Sequence, residues 1–338
     1  MLNLGIIGTG MMAGVICESC RSADINVISV LSRNISTAYE FCNKHGIGEK
    51  NGFINAELFF SEQTLDAVYI ATPTSEKEQF LRYCLKYNKH ALIEKPLPNT
   101  LSMFELLQEA DTKGLVWLDA AHFIHTSWYK MLDALIIDKV GIVDRVEASF
   151  IWPDMNKEHI KFNPLLEPDG VMGDLGWYPL RLISKFVAIE RVKQKSFITL
   201  LDDRAAIIEM HVSGYTDDDI AFSGTASYRG SVVRQQFEIS GNLGRLIIND
   251  FVMPYCGSFV YGNLLPDMSI KIEHGMKPLL DSESIKISLP ERQHITMLRD
   301  FSNYIHKLDV GTLKTLQFEC RRTMLLSKLI RENSSIDC

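Results

Sequence analysis

Leu4-Gly5-Ile6-Ile7-Gly8-Thr9-Gly10-Met11-Met12-Ala13 decides the fold of the first part of this chain. The apolar run Leu4 to Ile7 reads as a short buried strand. It enters a glycine turn that opens onto a helical stretch from Ala13 to about Cys20. The turn matches G-x-G-x-x-G/A in the context that pattern requires, a strand before and a helix after. Gly8 permits the tight turn, Gly10 lets the backbone approach a pyrophosphate, and Ala13 is small enough for the helix to pack on the sheet. The stretch Gly8, Thr9, Gly10, Met11, Met12 and Ala13 is therefore a candidate phosphate-binding loop, with amide donors and the positive end of the helix dipole facing the ligand.

Outward from that loop the elements alternate. A strand Val27–Leu31 ends in Ser32-Arg33-Asn34, where a dinucleotide fold selects its cofactor. An acid there would accept hydrogen bonds from both ribose hydroxyls and repel a 2′-phosphate. This chain offers a hydroxyl and a guanidinium instead, so NADP(H) is favoured over NAD(H). A helix from Ser36 to His45 and a short strand near Gly52–Ile54 follow. A central strand Ala67–Ile70 then turns off at Ala71-Thr72-Pro73. Helix Glu76–Tyr87 leads to strand Ala91–Ile93, which ends in Glu94-Lys95-Pro96. Charge at the mouth of a buried strand, followed by a proline that forbids helix, is the second candidate site segment. Helix Leu101–Lys113 and strand Leu115–Leu118 complete a βα series, which implies a doubly wound parallel sheet.

The chain has 338 residues, 46% of them hydrophobic, and a formal net charge of -7. That length implies two domains, and that charge argues against nucleic acid and against an anionic membrane surface. No apolar run reaches the roughly 20 residues of a spanning helix. The N-terminus shows no signal peptide, and seven scattered cysteines suit a reducing compartment, so a cytoplasmic location is expected. Cys17 and Cys20 fall well inside a helix, where they read as core thiols rather than a redox pair.

After Ala121 the pattern changes. A helix Trp128–Ile137 precedes strand-like runs at Gly141–Phe150, Ala205–Val212, Ala221–Ser227, Gln235–Ser240 and Arg245–Asn249. Turn signals separate them without intervening helices, so an open, mostly antiparallel sheet is expected. Helices near Arg292–His306 and Thr315–Glu332 close the chain. The expected domains are 1–121 and 122–338. His122-x-x-His125 has no third ligand at a sensible spacing, so no metal is expected. In Asp174-Leu175-Gly176-Trp177-Tyr178, the acid and the tyrosine stand four apart and would share one face if they open a helix; the aspartate alone reads as a cap.

Together, the glycine loop, Ala71-Thr72-Pro73 and Glu94-Lys95-Pro96 resemble the Gfo/Idh/MocA oxidoreductase family, and Asp174-x-Gly176-x-Tyr178 extends the resemblance into the second half. The resemblance implies an N-terminal Rossmann domain followed by an α+β substrate-binding and oligomerisation domain with a large open sheet. It implies Lys95, Tyr178 and Asp174 as catalytic residues, the last two facing Lys95 over the substrate. Ser32, Arg33, Asn34, Ala71, Thr72, Pro73, Glu94 and Lys95 join the glycine loop as cofactor contacts. His122, Trp152 and Trp177 are candidate substrate contacts. Val171-Met172-Gly173 departs from the glycine run of many members, and Trp177 is bulky. The implied reaction is hydride transfer between the nicotinamide and a hydroxyl or keto carbon of a sugar, cyclitol or vicinal diol, in a homodimer or homotetramer. A free tyrosine ionises near pH 10, and a neighbouring ammonium favours its phenolate. Two alternatives are a keto-reductase on a nucleotide-linked sugar, against which the second half lacks clustered arginines, and a non-catalytic NADP-sensing regulator, against which both lysine and tyrosine are present.

Overall fold

The computed structural model describes residues 1–256, 263–264, 267–276 and 279–337. The chain divides into two compact units, Met1–His122 with Arg292–Cys320, and Phe123–Glu291 with Arg321–Cys338. The C-terminal region, assigned by the sequence to the second domain alone, is thus shared between the units.

In the first unit, strands β1 (Leu2–Ile7), β2 (Ile25–Leu31), β3 (Gly52–Phe53), β4 (Ala67–Ile70), β5 (His90–Ile93) and β6 (Trp117–Asp119) form one sheet in the order β3-β2-β1-β4-β5-β6. Every pair is parallel. All four residues of β4 are buried, as a strand covered on both faces requires. Helices α1 (Met11–Ser22), α2 (Ile35–His45), α3 (Ala56–Phe60), α4 (Lys77–Tyr87) and α5 (Leu101–Thr112) make the connections. Their starts are set by local chemistry. Asn34 Oδ1 accepts from Ser36 N at 2.9 Å to open α2, and Thr100 Oγ1 accepts from Met103 N at 3.1 Å to open α5. The winding reverses between β1 and β4, which is where an open parallel sheet leaves a crevice for a ligand.

The second unit contains α6 (Ser127–Leu135), β7 (Val143–Ile151), α7 (Gly170–Asp174), α8 (Trp177–Phe186), β8 (Val192–Leu201), β9 (Ile207–Thr216), β10 (Ala221–Ser227), β11 (Arg234–Gly241), β12 (Arg245–Asn249), β13 (Asp267–His274), β14 (Asp281–Ser288) and β15 (Ser335–Asp337). Among the described residues, nine of its strands form one sheet in the order β14-β13-β12-β11-β7-β10-β9-β8-β15. Among the described residues of this sheet, only β7–β10 and β8–β15 are parallel pairs. Helix α8 is buried from Trp177 to Ser184 and packs on β7 and β10. Two more helices, α9 (Gln293–Ile305) and α10 (Val310–Asn333), close the fold.

Strands β8, β13 and β14 were not legible in the sequence. Most of β14, Asp281-Ser282-Glu283-Ser284-Ile285-Lys286-Ile287-Ser288, is exposed, because it lies at a sheet edge where charge discourages further pairing. Helix α10 begins five residues before the expected Thr315, since Asp309 Oδ1 accepts from Thr312 N at 3.0 Å and caps it there. Cys17 and Cys20 lie buried on α1 as free thiols, and burial raises the Cys17 thiol to about 11 and that of Cys20 further. Neither is a nucleophile at neutral pH, in keeping with core thiols. Among the described residues, no helix is long and apolar enough to cross a membrane.

Candidate active site

Four sequence-selected segments of the first unit follow neighbouring strands. Parallel register pairs Ile7 with Leu31, Ile7 with Ile70, and Ile70 with Ile93. The residues just beyond these strand ends therefore stand in a row: Ser32-Arg33-Asn34, then the Gly8–Ala13 loop, then Ala71-Thr72-Pro73, then Glu94-Lys95. Backbone bonds tie the row together, with Gly8 N donating to Leu31 O, Ala71 N to Ile7 O, and Glu94 N to Ile70 O, at 2.8, 2.8 and 2.9 Å.

The row fits a dinucleotide. Gly8 has φ +105, and a β-carbon on it would stand 2.8 Å from Ala71 O, so only glycine serves. Around Gly10 a β-carbon would meet nothing within 4 Å, which is the open approach a pyrophosphate needs. Helix α1 starts at Met11 without any side-chain cap, so its first amides are presented to a phosphate. Thr72 Oγ1 is buried with no hydrogen-bond partner among the described residues, as a group awaiting a ligand would be. The three residues after β2 divide in role. Asn34 is the α2 cap and Ser32 Oγ shares a 2.8 Å hydrogen bond with Thr37 Oγ1, whereas Arg33 is exposed. Thr37 was not singled out by the sequence.

Glu94 is buried, whereas Lys95 is partly exposed and precedes a cis proline, Pro96. The Glu94 carboxylate accepts from the Tyr69 hydroxyl on β4, and its Oε2 from Lys95 N at 3.1 Å. Burial pushes the Glu94 carboxyl up, against the Tyr69 hydrogen bond and the Lys95 and Lys77 charges that favour its ionised form. Lys77, almost fully buried, donates to Pro96 O at 2.7 Å and Thr74 Oγ1 at 3.2 Å, joining the turns after β4 and β5. Tyr69 and Lys77 escaped sequence reading because a tyrosine inside an apolar strand and a lysine in the first turn of a helix carry no local signal of burial or partner.

In the second unit, Asp174 ends α7 and Tyr178 is the second residue of α8, so the two do not open one helix. Nor does Asp174 cap α8, whose N-cap is Gly176 without a side-chain bond. The turn between the helices admits only glycine at 176, since a β-carbon there would lie 2.5 Å from Met172 O and 2.9 Å from its Cα. Tyr178 is 6% exposed and packed between Phe123, edge-on, and Phe150, tilted, with ring centroids 5.7 and 5.6 Å away. Asp174 Oδ2 accepts from Tyr228 Oη at 3.1 Å and lies 3.9 Å from Lys161 Nζ. Lys161 also pairs with Asp154 at 2.7 Å. Burial and then the Asp174 charge hold the Tyr228 phenol well above its usual range, so it is a neutral donor. Tyr228, Lys161 and Asp154 were missed, since they lie far from Asp174 in sequence and only the β7–β10 pairing gathers them.

The remaining candidates have structural partners. His122 is buried, its Nδ1 2.7 Å from Gln293 Oε1 and its ring centroid 4.7 Å from that of His294. Burial, then the neighbouring His122, keeps His294 neutral well below its usual pKa. Trp177 is 1% exposed, while Trp152 is half-buried and donates its backbone N–H to Ser227 O at 2.9 Å. Among the described residues, no three His, Cys, Asp or Glu side chains form a metal-holding group.

Two glycines separate packing from ligand approach. Gly176→Ala is expected to cost about 1–3 kcal/mol in urea unfolding, through overpacking against Met172. Gly10→Ala should stay within about 0.5 kcal/mol of wild type because the added carbon meets only open space. The reverse ranking would contradict the geometry.

Comparison with known proteins agrees with this arrangement. The family profile described as "Oxidoreductase family, NAD-binding Rossmann fold" matches residues 2–120. A dTDP-3,4-didehydro-2,6-dideoxy-alpha-D-glucose 3-reductase from Streptomyces antibioticus is 24% identical over 75% of this chain and 77% of its own length. The scyllo-inositol 2-dehydrogenase (NADP(+)) of Bacillus subtilis is 31% identical over 44% of this chain and 45% of its own. The 3-ketoreductase KijD10 of Actinomadura kijaniata, solved with NADP and TDP-benzene, shares the fold with a TM-score of 0.84 at 18% identity, covering 99% of this chain and 98% of its own. With its row of strand ends and its glycine loop, the first unit matches the NAD-binding Rossmann domain of this oxidoreductase family over residues 2–120.

Proposed function

We propose that the chain is an NADP-dependent oxidoreductase acting on a hydroxyl or keto carbon of a neutral sugar, cyclitol or vicinal diol. The observation that carries this reading is the row of four segments at the carboxyl ends of β2, β1, β4 and β5, with Lys95 at its end. The α1 amides and Gly10 would hold the pyrophosphate, Thr72 and Glu94 would meet the nicotinamide half, and Arg33 would take the 2′-phosphate. The bound nicotinamide supplies or accepts the hydride; the chain's own residues bind, orient and move the proton. Tyr178 donates the proton to the substrate oxygen in reduction and removes it in oxidation. Lys95 polarises the substrate oxygen, and Asp174 accepts from a substrate hydroxyl to fix its orientation. His122, Trp152 and Trp177 would shape the substrate site, His122 and Trp177 from buried positions.

A keto-reductase on a nucleotide-linked sugar is the second reading, favoured by the dTDP-sugar 3-reductase similarity. Self-association through the nine-stranded sheet is also proposed. It is supported by Ile198 and Tyr215, exposed by 37% and 50% on the neighbouring strands β8 and β9.

Turnover of NADP+ with scyllo-inositol, trans-diols and aldoses, and of NADPH with dTDP-linked ketosugars, separates the two substrate classes. With the substrate so found, Lys95→Met and Tyr178→Phe are each expected to lower kcat by about 100-fold or more, and Tyr178→Phe to do so with NADP affinity unchanged. Near-normal turnover in either would remove it from the mechanism, and no turnover on any panel member despite tight NADP binding would point to the sensing role. Arg33→Ala should weaken NADP+ binding by roughly 10- to 100-fold and leave NAD+ nearly unchanged, because a charged phosphate contact is lost. Equal loss for both cofactors would contradict the 2′-phosphate role. Light scattering should give at least a dimer, and Tyr215→Lys with Ile198→Lys should shift it to monomer; a wild-type monomer would end the sheet-interface proposal.

A further inference from the structure

Asp174 stands at the end of a five-residue helix, followed by a turn, which by itself would leave its side chain poorly fixed. Two groups in the second unit, Tyr228 and Lys161, reach it. Tyr228 is fully buried, and its backbone is pinned on both sides: its N donates to Ile208 O at 3.0 Å, and its O accepts from Asp154 N at 3.0 Å. Its hydroxyl therefore approaches Asp174 Oδ2 from a rigid base, at 3.1 Å. Lys161 lies with Nζ 4.3 Å from the Tyr228 ring centroid, 2.7 Å from Asp154 Oδ2 and 3.9 Å from Asp174 Oδ2. Phe162 packs on the same tyrosine ring at 5.2 Å.

We infer that Tyr228 and Lys161 are positioning residues for the reaction: together they hold the Asp174 carboxylate ionised and in one orientation toward the substrate. This rests on the reading of Asp174 as a substrate contact. The phenol hydrogen bond fixes direction, since a hydroxyl on a buried ring has one accessible acceptor geometry. The ammonium supplies the positive charge that keeps a carboxylate ionised near a second carboxylate, Asp154. Lys161 is itself fixed by Asp154 and by the ring beneath it, so the cation is held in place rather than swinging through solvent. A tyrosine that served packing alone would be replaceable by phenylalanine without catalytic effect, because the ring and its contacts remain.

The test is a double-mutant cycle in kcat and KM, using the fastest substrate of the panel above, with NADP affinity and thermal stability measured for each variant. Asp174→Asn is expected to lower kcat/KM about 100-fold. Tyr228→Phe and Lys161→Met should each lower it about tenfold, through kcat and substrate KM and without change in NADP affinity. Lys161→Arg should recover most of the Lys161→Met loss. In the Asp174→Asn background, Tyr228→Phe should add less than twofold, because the group it acts through is already gone. Multiplying effects in the double variant, or wild-type kinetics in Tyr228→Phe beside a crippled Asp174→Asn, would overturn this inference and leave the acid–base assignment standing. Wild-type kinetics in Asp174→Asn would overturn the substrate-contact reading and this inference with it.

Discussion

One absent methyl group sets the geometry of the first unit. With φ at +105 and Ala71 O 2.8 Å from where a β-carbon would be, Gly8 lets the loop after β1 lie directly against the turn after β4. That contact closes the gap at the point where the sheet winds in opposite directions. It brings the uncapped start of α1 beside Thr72, and the parallel register carries the same alignment outward to Arg33 on one side and Lys95 on the other. A side chain at position 8 would force the two loops apart and break the row that the cofactor needs.

A second close approach governs the other unit. Gly176 allows α7 to turn into α8 over Met172, which leaves Asp174 and Tyr178 on separate helices. Their surroundings then diverge. Tyr178 is held by aromatic rings, and Asp174 by a phenol and an ammonium.

The sequence made the parallel sheet legible because its strands are buried on both faces and appear as unbroken apolar runs between helices. It made the glycine loop and the Glu94-Lys95-Pro96 segment legible because both break a local rule, glycines at a helix start and charge at a strand end. What stayed hidden was of two kinds. Edge strands such as β14 carry charge where core strands carry valine or isoleucine, so they look like loops. Partners such as Tyr69, Lys77, Lys161 and Tyr228 have roles created by strand pairing between distant segments, and no residue spacing announces them. Asn34 adds a role that position alone does not announce: its side chain starts a helix.

The most direct test of the account is hydrogen–deuterium exchange of the full chain with and without NADP+. Protection is predicted in the peptides covering 8–13, 32–34, 71–74 and 94–98, four stretches distant in sequence and adjacent only in the sheet order found here. NADP+ binding that leaves these four unprotected while slowing exchange elsewhere would contradict it.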